Sequence, residues 1–303
     1  MTRASKVPGG DLLKAAYRSS QPKPWSGFKP SARSLADITI DVDKDASLDI
    51  VALGQSRLRR DGVVVLCNLL RPEDVEQASA DARETKRRTL ELINPVQPDG
   101  ETEDTIWQVG TSRFKSFQQL ATAPKPVLHF RNPGEGYDGG MFEVYNFDQL
   151  AQLWGLQGVQ KLIADERLTM ADRIVSGLHN WNRGLYNLYQ NDAVTMPRGL
   201  HIDCLVSSYK MLVYLSDCTK LSNGPYCFVP GSHRRDLLLK AGFVNVANGG
   251  TNTDFPELTD VSIPIVGRAG TVIISAQFGV HGGQPQDEQG TRSVLVKNYT
   301  TLN

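Results

Sequence analysis

Between residues 184 and 299 the chain is a succession of short β-type runs separated by turn residues: GLYNLYQ, HIDCLV, KMLVYLSD, YCFVPG, TVIISA and SVLVKNY. This texture limits the fold more than any other feature. Several short strands with turn signals between them imply an antiparallel sandwich or barrel, the jelly-roll group among them. SNGP at 222–225 marks one tight turn.

Upstream the pattern changes. GVVVLCNLL at 62–70 reads as a strand ending at Arg71 and Pro72, and PEDVEQASADARETKRRTLELI then has helix composition, with proline in the first turn and acids close behind. LAQLWGLQGVQKLIADERL and MADRIVSGLHNW carry apolar residues at helical spacing, Leu150, Leu153, Trp154 and Leu162 among them, and predict helices on the outside of a sheet. Asn94 to Gly140 is rich in Pro, Gly and polar residues and predicts loop with short elements. The expected class is mainly β with flanking helices.

With 303 residues and 40% hydrophobic content the chain can bury one large core. Its 33 basic and 33 acidic residues cancel, so no global field recruits nucleic acid or an anionic membrane. Locally, Met1 to Leu35 holds seven basic residues against Asp11 alone, which predicts a loosely ordered arm over 1–50 ahead of a single domain over 51–303. No apolar run approaches the ~20 residues of a membrane span, and the N-terminus lacks the apolar core of a secretion signal, so a cytoplasmic, soluble protein is expected. Cys67, Cys204, Cys218 and Cys227 show no CxxC pairing and predict reduced thiols. Alternation turns Cys204 away from Asp203.

The chemistry concentrates in RGLHIDCLV at 198–206. In an extended strand His201 and Asp203 project to one face as a pair of ligands in waiting. His281, just after TVIISA, is the third candidate. Two imidazoles and one carboxylate on one face of a metal leave other positions open, the arrangement of non-haem iron(II) oxygenases. Gly282 and Gly283 allow backbone to approach a crowded site. A histidine pair and one HxD are common in a chain of this length, and their bland reading is structural. Arg292, opening SVLVKNY, changes the balance, because a guanidinium there suits a small carboxylate.

Taken together, HID at 201–203, YLSDCTKLSNGPYCFVPGSHR at 214–234, HGG at 281–283 and TRSVLVKNY at 291–299 resemble the phytanoyl-CoA dioxygenase family of iron(II)- and 2-oxoglutarate-dependent oxygenases. GVVVLCNLLRPEDV at 62–75 is similar to that family's N-terminal strand and helix, so the resemblance spans Asp61 to Tyr299. It implies a double-stranded β-helix, a jelly-roll or cupin-like barrel. It implies Fe(II), 2-oxoglutarate and O2, with His201, Asp203 and His281 as iron ligands and Arg292 on the far carboxylate of 2-oxoglutarate. Gln190 and Arg198 are further candidates for the cosubstrate. His233 is a structural part of the PGSH turn, while His129 and His179 match no motif. Gly283 departs from members that carry a hydroxyl residue there.

The implied reaction oxidises, by default hydroxylates, an unactivated carbon of a small-molecule substrate such as a specialised metabolite, with release of succinate and CO2. The alternative is a metal-binding cupin-like barrel with an isomerase or ligand-binding role, in which Arg292 has no task. The stretches 130–142 and 241–258 read as a lid over the barrel mouth or as plain surface loops.

Overall fold

The computed structural model describes residue 25 and residues 27–93, 98–132, 136–178, 181–203, 208–234, 236 and 255–301. A short helix α1 (Leu35–Ile38) leads into β1 (Thr39–Asp41), and α2 (Ile50–Asp61) follows. α2 begins on Asp49, whose carboxylate accepts from the Ala52 amide, and ends on Gly62 at φ +77°, a left-handed cap that suits glycine. β2 (Val63–Cys67) comes next, and Pro72 with Glu73 and Asp74 opens α3 (Pro72–Leu92), as the composition predicts.

The stretch read as loop contains β3 (Gly100–Glu101), β4 (Ile106–Val109), α4 (Phe117–Ala121) and β5 (Val127–Phe130), with β6 (Phe142–Tyr145) just beyond it. Three helices then follow, α5 (Phe147–Leu153), α6 (Gln157–Ile163) and α7 (Glu166–Ser176). The two predicted helical runs become three because Gly155 at φ +68° and the Asp165 N-cap interrupt them. The remaining strands are β7 (Trp181–Asp192), β8 (Ser208–Tyr214), β9 (Tyr226–Phe228), β10 (Ile263–Pro264), β11 (Val272–Ala276), β12 (His281–Gly283) and β13 (Thr291–Thr301).

Ten strands form one sheet in the order β1-β2-β11-β8-β13-β7-β6-β5-β4-β3, and three form a second in the order β10-β9-β12. His201 extends the small sheet through an antiparallel bridge to His281. From β7 onward the chain alternates between the sheets, passing through β7, His201, β8, β9 and β10, β11, β12 and β13 in turn. That winding is the jelly roll the resemblance implies. The helices cover the outer face of the large sheet, where Lys297 of β13 reaches Asp172 of α7 at 2.9 Å.

The expected arm differs from the structure beyond residue 27. β1 pairs in parallel with β2, Ile38 and Ile40 are fully buried, and the Ser31 amide donates to the Pro230 carbonyl at 3.2 Å. Trp25 is buried too, edge-on to Phe28 and Phe255. These apolar anchors outweigh the local excess of positive charge, because each large side chain taken out of water contributes about 1.5–3 kcal/mol. Residues 1–24 and 26, Cys204, His179 and 241–254 of the lid candidate lie outside the described residues. Cys67, Cys218 and Cys227 are free thiols. No helix among the described residues is long and apolar enough to cross a membrane.

Candidate active site

The bridge between His201 and His281 is reciprocal: each amide donates to the other's carbonyl, at 2.8 and 2.9 Å. The two rings lie 4.5 Å apart, centroid to centroid. His201 Nδ1 sits 2.6 Å from the Gly199 carbonyl and His281 Nδ1 sits 2.9 Å from the Gly279 carbonyl. A carbonyl only accepts, so Nδ1 is the donor in both rings and each Nε2 is the atom turned toward Asp203.

Asp203 reaches this point by a different route from the expected strand. The chain bends after the bridge, and the Asp203 amide donates to the Gln277 carbonyl at 3.1 Å. The carboxylate arrives with Oδ1 3.3 Å from His201 Nε2 and Oδ2 3.6 Å from His281 Nε2. One donor atom from each of the three residues lies within 4.8 Å of the others.

Burial and the neighbouring His281 push His201 down to about 4, so its imidazole is neutral at ordinary pH. Burial works against ionisation of Asp203, but Lys210 and the two imidazoles hold its carboxyl well below the usual range. Two imidazoles and an ionised carboxylate converging on one point fit a divalent first-row metal. The anchored Nδ1 atoms supply the outer hydrogen bonds that keep such ligands aimed.

Arg292 is the fourth expected residue, and strand register places it. It pairs with Asn191 across β13 and β7, while Ser293 pairs with Gln190. Directly opposed residues share a face and successive residues alternate, so Arg292 and Asn191 point into the barrel and Gln190 points out. The side chains agree: Arg292 NH2 approaches Asn191 Oδ1 at 3.4 Å, and Gln190 Nε2 donates to Ser293 Oγ at 3.3 Å on the far face. Lys210 pairs with Asn298, two pairs of positions along β13 from Val294, and therefore faces the barrel with Arg292.

The sequence model of phytanoyl-CoA dioxygenase matches residues 58–294. The chain belongs to the phytanoyl-CoA dioxygenase family. It is accordingly a non-haem enzyme that uses iron(II), 2-oxoglutarate and O2. No curated protein sequence matches it. Among solved structures, AviO1 from Streptomyces viridochromogenes is similar with a TM-score of 0.50 and 21% identity, over 82% of this chain and 94% of that one. The non-haem α-ketoglutarate-dependent epimerase SnoN from nogalamycin biosynthesis is similar with a TM-score of 0.50 and 16% identity, over 83% and 82% of the two chains. At these identities the likeness shows the shared fold.

Within this family member the structure brings together His201, Asp203 and His281, seats Arg292 beside Gly283 of the strand that carries His281, and turns Gln190 to the opposite face of the sheet. Gln190 was expected to line the cosubstrate pocket; it instead supports the outer face, because one residue of register decides which side a strand residue takes. Arg198, the other candidate for the cosubstrate, is turned to the Asp203 carboxylate, with NH1 3.3 Å from Oδ1. Asn191 and Lys210 are the residues that sequence reading missed. Lys210 Nζ lies 2.8 Å from Asp203 Oδ2. Alternation within KMLVYLSD makes Lys210, Leu212 and Tyr214 one face, yet which face is inward is not written in the run itself. His233 holds the turn against α2, its Nε2 3.0 Å from the Arg59 carbonyl, and takes no place near the triad. Gly283 sits beside Arg292: a Cβ there would lie 4.0 Å from both terminal guanidinium nitrogens.

Proposed function

We propose that this enzyme hydroxylates an unactivated carbon of a small-molecule substrate, with His201, Asp203 and His281 holding the iron and Arg292 holding the far carboxylate of 2-oxoglutarate. The observation that carries the assignment is the convergence of the two Nε2 atoms, each ring fixed from behind by a backbone carbonyl, on the Asp203 carboxylate. When bound, the iron couples oxidative decarboxylation of 2-oxoglutarate, giving succinate and CO2, to oxidation of a substrate C–H bond.

The chain's own residues do the positioning. Arg292 enters from the large sheet while the triad stands on the small sheet, so a short dicarboxylate can bridge the two. Arg292 is half-buried and held between the Gly224 carbonyl and Asn191, which orients its fork before any ligand arrives. Gly282 and Gly283 keep the strand beside the metal ligands free of side chains; a Cβ on Gly282 would meet the Gly199 carbonyl at 3.0 Å. Tyr226 and Ser275 close the barrel floor through a 2.9 Å hydroxyl contact and limit water around the reacting centre. A metal-only cupin function gives Arg292 no such task, so its placement supports the oxygenase reading.

The test is an anaerobic titration with iron(II) and 2-oxoglutarate. A weak visible charge-transfer band is expected in the unmodified protein and absent from His281→Ala. A protein that binds iron but shows neither this band nor 2-oxoglutarate-dependent succinate formation would contradict the proposal.

A further inference from the structure

Two cations meet the Asp203 carboxylate from different parts of the chain. Lys210 Nζ lies 2.8 Å from Oδ2, and Arg198 NH1 lies 3.3 Å from Oδ1. Lys210 stands on β8, opposed by Ser275 of β11 and by Asn298 of β13. Neither of those neighbours is charged, so the flanking strands offer the ammonium no second carboxylate at its own register. Arg198 stands three residues before His201, with its amide tied to Asp138 Oδ1 at 3.0 Å.

Both side chains keep hydrogen-bonding capacity that the protein does not use. Arg198 Nε is buried and has no partner among the described residues. Lys210 carries three N–H donors, and Asp203 is its hydrogen-bond partner among the described residues. Each side chain is also partly exposed, so a solute can reach it beside the triad.

The charges around the triad leave this pair in surplus. Glu143 answers Arg131, which it meets at 3.0 Å through Nε. Asp138 is shared, since it pairs with Arg131 at 3.5 Å and accepts from the Arg198 amide. In the loaded enzyme the far carboxylate of 2-oxoglutarate answers Arg292. Asp203 and the near carboxylate together answer the two charges of iron(II). Lys210 and Arg198 are then left with Asp138, whose single charge is already shared. The loaded site is short of one negative charge, and the shortfall lies next to a metal ligand.

We propose that the substrate carries an anionic group, a carboxylate or a phosphate, and that Lys210 and Arg198 bind it. The inference rests on the oxygenase reading above. An ammonium and a guanidinium that already share one carboxylate are close enough to share a second, through charge-assisted hydrogen bonds. An anion held there places one end of the substrate beside Asp203, so the carbon oxidised is one close to the anionic group. An uncharged substrate leaves the surplus unanswered, and a cationic one adds to it, which makes the pair a filter on substrate charge.

The experiment uses the full chain loaded with zinc(II) in place of iron and with isotope-labelled 2-oxoglutarate, whose retention is followed in the same sample. Hexanoate, hexyl phosphate, hexanol and hexylamine, alike in chain and different in head group, are compared by saturation-transfer NMR. At least one of the two anions is expected to bind about five-fold or more tightly than hexanol and hexylamine with 2-oxoglutarate retained. Which anion does so separates carboxylate from phosphate. Lys210→Met and Arg198→Met should each weaken that anion about five-fold or more while zinc, 2-oxoglutarate and melting temperature hold. Lys210→Arg, which keeps the charge, should retain binding. The proposal falls if neither anion binds more tightly than hexanol, or if the anions bind only by displacing 2-oxoglutarate. It falls equally if both methionine variants bind as the unmodified protein does, or if both lose zinc, which would make Lys210 and Arg198 supports of Asp203 alone. Failure of the unmodified protein to take up zinc and 2-oxoglutarate would overturn the oxygenase reading and the proposal with it.

Discussion

Arg292 Nε is buried without a hydrogen-bond partner among the described residues, while the two terminal nitrogens meet Gly224 and Asn191. A guanidinium held this way is ready for a carboxylate. Arg292→Ala should leave the fold and iron binding intact and weaken 2-oxoglutarate binding by about 2–5 kcal/mol, the range for losing one partner of a desolvated charge pair. Calorimetry should show the dissociation constant rising by between about 30-fold and a few thousand-fold; unchanged affinity would remove Arg292 from the cosubstrate site. Asp203 governs a second outcome. As the proposed third iron ligand, its carboxylate would fill the position a halide would need, so the unmodified protein should give no chlorinated product in chloride buffer. Asp203→Ala removes one of three ligands and should lower iron affinity by more than the roughly 10–100-fold typical of deleting an outer-sphere partner. Near-normal iron binding by that variant would show that Asp203 is not a ligand.

At the scale of elements, β5 and β6 are held together by Glu143. Burial by itself would raise its carboxyl, but Arg131 and the hydrogen bonds from His129 and Arg131 prevail and hold it at about 2. A depressed folded value contributes stability that is present above the unfolded value near 4.3 and is lost as pH falls through the folded one. The unmodified protein should therefore exceed Glu143→Gln in stability at pH 7 by about 1–3 kcal/mol, the cost of weakening hydrogen bonds to a buried carboxylate whose partner Arg131 stays half-exposed and keeps Asp138. That gap should close as pH falls from about 4 toward 2, and equal stability at neutral pH in chemical denaturation would show that the cluster does not act as a unit. The Gly62 cap is a second element-level constraint. Its φ is +77°, and a Cβ would approach His233 Nδ1 to 2.5 Å. Gly62→Ala should cost about 1–3 kcal/mol, from the strained backbone and a displaced turn; a stability loss below 0.5 kcal/mol would contradict it.

At the scale of the molecule, the proposed iron and 2-oxoglutarate site spans both sheets, since His201 and His281 stand on the small sheet and Arg292 on the large one. Ligands that bind only the folded state add about 2.7 kcal/mol when present at 100 times their dissociation constant. Iron(II) alone should raise the melting temperature, 2-oxoglutarate should raise it further, and a chelator should reverse both. In Arg292→Ala only the second increment should vanish, and loss of both would mean that Arg292 supports the metal rather than the cosubstrate. How much of this was legible beforehand follows from what each signal depends on. The strand run after residue 184, the helix opened by Pro72, and the set His201, Asp203, His281 and Arg292 are local signals, since they need only residue type, short spacing and a recognisable order. Gln190 was misplaced and Asn191 and Lys210 overlooked because facing depends on register, which the partner strand sets. The ordering of 28–50 depends on burial of Ile38 and Ile40 under elements that follow them in the chain. The charge cluster of His129, Arg131 and Glu143 was illegible because short strands in polar sequence carry little periodicity, and because its charges are compensated only when β5 and β6 pair. Sequence alone determined the chemistry available to this protein, through residues whose roles are carried by their side chains. Tertiary structure decided which of them meet, since convergence and charge compensation are properties of paired strands and exist in no single segment.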